Sequence, residues 1–280
     1  MSVSVEEIKQ INPLVPVKGK IIKIISETPD VKTFHVTTDK GKPFTPMPGQ
    51  LAMLSLLGVG EAMFSITSQG ENHLEFSIKR CGMLTDALHE ALVGQEVGIR
   101  GPYGNGFPID QVKGKDVLFI AGGIGLAPVR SLINYCVANR GDFGKLEVVY
   151  GSRSPADLCF RDDLFENWPK VDNMSVNVTV DKGDENWTGS VGFVPAFLEE
   201  LNPDPQGKVT IVCGPPIMIK FVMQSLDKMK YQHKNIITTL EMRMKCGIGK
   251  CGRCNIGSCF ICLDGPVFTM AELAKMPNEY

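Results

Sequence analysis

Five of the chain's nine cysteines fall between Met244 and Cys262, in "MKCGIGKCGRCNIGSCFIC". Thiols bunched in this way can pair as disulfides, hold a zinc ion or carry an iron–sulfur cluster. Cys246-x4-Cys251-x2-Cys254 matches the plant-type [2Fe–2S] spacing, and a fourth thiol, Cys262, follows after seven more residues. Glycines at 247, 249, 252 and 257 suit a loop that wraps closely around sulfides and donates N–H groups to them. Four thiolates on an oxidised [2Fe–2S] core carry about −2 net charge. Arg243, Lys245, Lys250 and Arg253 surround that charge, either raising the cluster potential or forming a docking face for an acidic partner. The competing zinc reading takes Cys251-x2-Cys254-x4-Cys259-x2-Cys262. Its insert is shorter than structural zinc usually has, and it leaves Cys246 without a role.

Three glycine- or proline-rich loops follow apolar runs. "AGGIGLAP" (Ala121 to Pro128) comes after "DVLFIA" and opens a stretch with helical spacing at Leu126, Val129, Leu132, Ile133 and Cys136. Such a turn lets backbone N–H groups approach a pyrophosphate at a helix N-terminus, although its spacing differs from G-x-G-x-x-G and a plain tight turn is the alternative. "CGPPIMIKF" (Cys213 to Phe221) ends another apolar run, with Pro216 suited to a first helical turn and Cys213 open to a bland role as a small hydrophobe. "YGSR" (Tyr150 to Arg153) ends a third. Ligands of open α/β sheets bind at such strand ends.

The elements that must position these loops come in two blocks. From about residue 15 to 104, "KGKIIKIISE", "VKTFHVTTD", "QLAMLSLLG", "HLEFSIKR" and "QEVGIRGPYG" read as short strands of an antiparallel barrel or sandwich. Beyond residue 110, "DVLFIA", "LEVVYGS", "SVNVTV", "VTIVCG" and "IITTLE" alternate with helical or irregular stretches, which predicts a parallel sheet with helices on its faces. The chain of 280 residues, 43% hydrophobic with a net charge of −2, has ordinary globular composition and no bias toward nucleic acid. "MSVSVEEIKQINP" lacks the apolar core of a secretory signal, and no run approaches the roughly 20 apolar residues of a membrane span. A cytoplasmic protein is expected, where clustered cysteines point to metal or redox work rather than disulfides. His35, His73, His89 and His233 are scattered and read as structural.

Taken in order, "FSIT", "GPYGNGF", "AGGIGLAP", "YGSR" and "CGPP" resemble the ferredoxin–NADP reductase superfamily over nearly the whole chain. The ending "CNIGSCFICLDGPVFT" is similar to the branch with sulfhydrogenase gamma subunits, anaerobic sulfite reductase B subunits and the electron-transfer subunit of dihydroorotate dehydrogenase. The resemblance implies a FAD-binding β-barrel over residues 1–110, an NAD(P)-binding α/β domain over 111–238, and a [2Fe–2S] module over 239–280. It implies that Phe64, Ser65, Ile66 and Thr67 lie along the flavin, with Ser65 near its N5. Lys79, Arg80, Gly82, Met83, Leu84 and Thr85 would meet its ribityl and phosphate groups. Gly122, Gly123, Gly125, Ala127 and Pro128 would hold the dinucleotide pyrophosphate, Ser152 and Arg153 the adenosine ribose, and Cys213, Gly214, Pro215 and Pro216 the nicotinamide. It also selects Cys262 over Cys259 as fourth cluster ligand, beside Cys246, Cys251 and Cys254.

One departure stands out. The family's Arg-x-Tyr-Ser reads "AMFS" here, so Ala62 removes a bidentate phosphate partner, and Lys79, Arg80 or a helix start near Thr85 must serve instead. The implied activity is NAD(P)H oxidation, with electrons passing through FAD and the cluster to another redox subunit. A stand-alone reductase of a soluble carrier, and a delivery module without nicotinamide chemistry, are the alternatives. Asp157 near Arg153 favours NADH over NADPH.

Overall fold

The computed structural model describes residues 12–277; the N-terminal stretch read above for a secretory signal lies almost wholly outside them. Two seven-stranded sheets carry the molecule. The first contains β1 (Val17–Thr28), β2 (Val31–Thr37), β3 (Leu51–Leu56), β4 (Gly60–Ser65), β5 (Ser68–Gln69), β6 (Leu74–Lys79) and β7 (Glu96–Tyr103). Its order is β4-β3-β7-β1-β2-β6-β5, antiparallel throughout. The two edge strands, β4 and β5, are consecutive in the chain and separated only by Ile66 and Thr67. That short link can join opposite edges only if the sheet curls back on itself, so this unit is a barrel. Strand alternation fills its interior with Phe34, Val36, Leu54, Leu74, Phe76, Ile78 and Ile99, each nearly or fully buried.

The second sheet contains β8 (Asp116–Gly122), β9 (Leu146–Ser152), β10 (Met174–Val180), β11 (Ser190–Val191), β12 (Lys208–Cys213), β13 (Ile236–Thr239) and, from the C-terminal segment, β16 (Val267–Thr269). The order is β11-β10-β9-β8-β12-β13-β16. All neighbours are parallel except β16, which pairs antiparallel with β13. The central strands read as unbroken apolar runs because helices cover both faces: Leu126–Ala138 on one side, Val194–Leu201 and Pro216–Lys228 on the other. Starting from β8 the chain builds outward through β9 and β10, then returns to β12 on the other flank. The gap between β8 and β12 is therefore the topological switch point, where a crevice forms at the strand ends.

Each strand foreseen in the sequence is present. The two-residue strands β5 and β11 were not foreseen, being too short for a periodic signal, nor was β4, whose partly exposed residues lack a clear alternation, nor the three-residue β16 in a segment that shows neither strand nor helix periodicity. The C-terminal segment is tied to both units. β16 extends the parallel sheet, a small hairpin pairs β14 (Asn255–Ile256) with β15 (Cys259–Phe260), and Met244, Cys254, Ile256, Ile261 and Cys262 pack with Leu51, Met53 and Tyr103 of the barrel.

Candidate functional site

At the switch point the carboxyl ends of β8, β9 and β12 open into a cavity of about 890 Å³. Gly122, Gly123 and Gly125 line it, as do Ser152, Arg153 and Cys213 to Pro216. These three loops, far apart in sequence, meet there because parallel strands deliver their C-terminal turns to one edge. Thr28, Asp30, Val31 and Lys79 close it from the barrel, so the cavity lies between the two units. Gly125 allows the close approach of the first and last loops: a Cβ there would stand 2.7 Å from the Cys213 carbonyl oxygen and from the Gly214 Cα. Ala127 and Pro128 are buried in the first turns of the 126–138 helix and do not line the cavity.

The cavity's charges are largely paired. Arg153 donates to Asp157 at 2.6 Å and lies 4.0 Å from Asp30, and these partners, Asp157 first, raise its pKa. Burial raises the carboxyl of Asp181 above the usual range. The lining acids are Asp30, Asp157, Asp181, Glu199 and Glu241; the bases are Lys79, Arg153 and Lys228. Cys213 is buried with its Sγ 3.1 Å from Thr239 Oγ1, and burial pushes its thiol up to about 12, so it stays neutral.

The residues expected along the flavin lie on the barrel, outside that cavity apart from Lys79. Phe64 and Ser65 end β4 half-buried, while Ile66 and Thr67 cross the barrel seam fully buried. The Thr67 hydroxyl accepts from Ser77 N at 3.0 Å and is thereby committed to the fold. The helix foreseen near Thr85 starts at Met83, and Gly82 at its N-cap has no side chain to satisfy the first N–H groups. Thr85 is buried, donating to Gly82 O and accepting from Cys81 N. Arg80 reaches over this helix to Asp86 and Glu90, and Lys79 pairs with Asp30. Both bases are exposed, so these pairs are weak and can open. An exposed Gly82 beside uncapped N–H groups, with Phe64 accessible on the seam strand, fits a flavin phosphate and ring.

The cysteine loop has the donors that a cluster needs. Ile248 N and Lys250 N point at Cys246 Sγ at 3.4 and 3.3 Å, and Gly249 N points at Cys262 Sγ at 3.2 Å. Positive φ at Gly247 and Gly249 turns the backbone so that these N–H groups face inward. Burial opposes ionisation of Cys246, but the N–H groups of Ile248, Cys251 and Lys250 outweigh it and bring the thiol down to about 6. Burial and the neighbouring Cys254 push Cys262 up to about 12. Cys254 and Cys262 are almost fully buried, Cys251 is exposed, and Cys259 sits in the hairpin opposite Ile256. Arg243, Lys245, Lys250 and Arg253 are all exposed, and among the described residues none meets a carboxylate within ion-pair distance.

Two anchoring residues escaped the sequence. Arg100, 6% exposed, donates to the carbonyls of Cys246 (2.7 Å) and Lys245 (3.0 Å), to Glu61 at 2.8 and 3.3 Å, and to the Tyr103 hydroxyl at 2.9 Å. Asn105 bonds Asp264 O, Val267 O and Val267 N. "GPYGNGF" and "LDGPVF", read above as separate motifs, are thus one contact, with Asn105 N donating to Gly265 O at 2.6 Å. Neither local spacing nor composition signals a partner some 150 residues away in the chain.

Comparisons with known proteins agree with this geometry. Residues 119–224 match the family model of the oxidoreductase NAD-binding domain. Residues 241–274 match that of the iron–sulfur cluster binding domain of dihydroorotate dehydrogenase B. The chain is 38% identical to sulfhydrogenase 1 subunit gamma of Pyrococcus furiosus over 95% of both chains. It is 36% identical to a probable dihydroorotate dehydrogenase B (NAD(+)) electron transfer subunit of Methanocaldococcus jannaschii, over 90% of this chain and 89% of the relative. Among solved structures, a chain of an NADH-dependent reduced ferredoxin–NADP oxidoreductase superposes with a TM-score of 0.75, at 23% identity, over 94% of this chain and 93% of that one. The cytochrome b5 reductase domain of Ulva prolifera nitrate reductase gives 0.66 at 22% identity, over 81% and 98%.

Proposed function

The chain belongs to the ferredoxin–NADP reductase superfamily, in the branch of sulfhydrogenase gamma and dihydroorotate dehydrogenase B electron-transfer subunits, and we propose that it carries electrons from NADH through FAD and a [2Fe–2S] cluster to another redox subunit. The observation that carries the reading is the placement of both sites against one barrel: the switch-point cavity opens on it, and Arg100 fastens the cysteine loop to it. When bound, FAD accepts a hydride from the nicotinamide and releases the electrons singly, and the cluster relays them.

The chain's own residues supply binding and placement. The N–H groups of Gly122 to Gly125 would hold the dinucleotide pyrophosphate, and Gly214 to Pro216 would bound the nicotinamide. Cys213, kept neutral by burial, puts no charge beside it. Phe64 and Ser65 would face the flavin ring, and Gly82 to Leu84 would take its phosphates in place of the arginine missing at Ala62. Cys246, Cys251, Cys254 and Cys262 would ligate the cluster, with N–H groups already aimed at two of them. The boundaries 1–110, 111–238 and 239–280 serve as a functional division, although β16 joins the last segment to the parallel sheet. A cytoplasmic setting belongs to the same reading, since clustered thiols serve metal or redox work there. No helix of the described residues is long and apolar enough to cross a membrane.

The whole reading is tested on anaerobically purified protein. FAD, iron and sulfide should be present, and NADH should reduce an artificial dye. FMN in place of FAD, or a lack of nicotinamide-driven dye reduction, would overturn it. NADH preference follows from the acids around Arg153, which oppose a 2′-phosphate. Asp157→Ser frees Arg153, and NADPH should then gain on NADH in kcat/KM by roughly tenfold, about 1.4 kcal/mol of differential binding. An unchanged ratio would place the ribose away from Arg153.

A further inference from the structure

His35 on β2 pairs with Glu75 across the antiparallel β2–β6 ladder, and His73, two residues before Glu75 and just ahead of β6, lies diagonal to His35 on the same face. Their rings stack, with centroids 4.5 Å apart and planes 22° apart. The Nε2 atoms of both are closed to solvent and lack a hydrogen-bond partner. Parallel stacked rings present their nitrogens side by side, so neither imidazole can satisfy the other. Glu75 Oε1 is 3.6 Å from His73 Nε2, and ligand atoms of all three residues lie within 4.8 Å of one another. The other Glu75 oxygen accepts from Arg130 Nη1 at 2.6 Å, and Arg130 Nε donates to Asp163 at 2.6 Å.

We propose that His35, His73 and Glu75 bind a divalent first-row transition-metal ion, zinc above all. Two imidazoles and a carboxylate are a zinc-type donor set, unsuited to calcium or magnesium. Nitrogens on one tetrahedral zinc stand about 3.3 Å apart, given Zn–N bonds of about 2.0–2.1 Å. Each imidazole nitrogen lone pair lies in its ring plane, so the stacked rings must splay apart for both to reach one ion, while the present spread is too wide for direct hydrogen bonds. Arg130 does not take the ion's place: it engages only Oε2 and orients Glu75 with Oε1 toward the imidazoles, as an outer-shell partner does. Water for a fourth position would have to enter past the partly exposed His73 side chain, because both Nε2 atoms are closed to solvent. None of the three ligands lines the nucleotide cavity. Arg130 lies on the 126–138 helix of the parallel-sheet unit, so the ion would brace the junction between that unit and the barrel.

The test uses anaerobic protein with its flavin and cluster in place, titrated with Co2+. Ligand-field bands of nitrogen and oxygen coordination should grow to one ion per chain, without the thiolate charge-transfer bands that would mark the cysteine loop. Zn2+ should displace the cobalt and raise the apparent melting temperature. His35→Ala and His73→Ala should each weaken cobalt binding by on the order of 100-fold or more, with flavin and cluster absorption unchanged. If either variant loses its cofactors, His35→Gln replaces it, keeping bulk without an imidazole. No cobalt binding, thiolate bands alone, or unchanged binding in the histidine variants would overturn the proposal.

Discussion

Replacing Cys262 by serine is expected to strip the protein of its iron, from about two atoms per chain to well under one, while Cys259→Ser keeps the full complement. Cys262 is 1% exposed, lies beside Cys254 and receives the Gly249 N–H, which also belongs to the turn that serves Cys246. Cys259 is on β15, across from Ile256, and among the described residues no hydrogen bond reaches its sulfur. Iron, sulfide and the visible spectrum of the two variants decide the matter. Iron lost from Cys259→Ser and retained in Cys262→Ser would pass the fourth position to Cys259. Stoichiometric zinc bound by the cysteine loop, with no iron, would replace the cluster reading altogether.

Arg100→Ala should be the most damaging substitution outside the cysteines. It removes a buried cation that joins Glu61 and Tyr103 of the barrel to the carbonyls of Lys245 and Cys246. Glu61 is exposed and loses little, but the two carbonyls and the Tyr103 hydroxyl lose a donor at a partly buried site, which together costs about 3 kcal/mol. The apparent melting temperature should fall by roughly 5 °C for a chain of this size. Dye reduction by NADH should survive, since the nucleotide cavity does not involve Arg100. Electron delivery to a partner subunit should slow, and the cluster's EPR signature should broaden as the loop loses its fixed position. Arg100→Lys should rescue only part of this, because an ammonium cannot span both carbonyls and a bidentate carboxylate. Unaltered melting and EPR in Arg100→Ala would show that the loop is held by its apolar packing alone.

What the sequence disclosed was what local physics writes locally. "DVLFIA" and "VTIVCG" read as buried parallel strands because both sheet faces are covered, and each continues into a glycine or proline turn whose place at a strand end follows directly. The ring of N–H groups around the thiols was legible in the alternation of cysteine with glycine. Long-range pairing was not. Arg100 reads as an ordinary strand charge, Asn105 as a turn residue, and His35 and His73 as unrelated positions, until sheet register and barrel closure bring their partners in. The pairing of Arg153 with Asp157 falls between these cases, since a spacing of four residues keeps it within reach of a sequence argument.

The pairing of β16 with β13 has a bearing on how the molecule is made. β13 is the outer parallel strand on its flank, and only the last part of the chain covers its free N–H and C=O groups. As the polypeptide leaves the ribosome, every other strand of that sheet emerges before the one that seals its rim. Until then the nascent protein presents an open template on which another chain can add. Assembly of the cysteine loop, which lies between β13 and β16, therefore falls within the interval of greatest exposure to aggregation. A cell starved of iron or sulfide would lengthen that interval, and the cost would appear first as insoluble protein rather than as soluble protein without its metal.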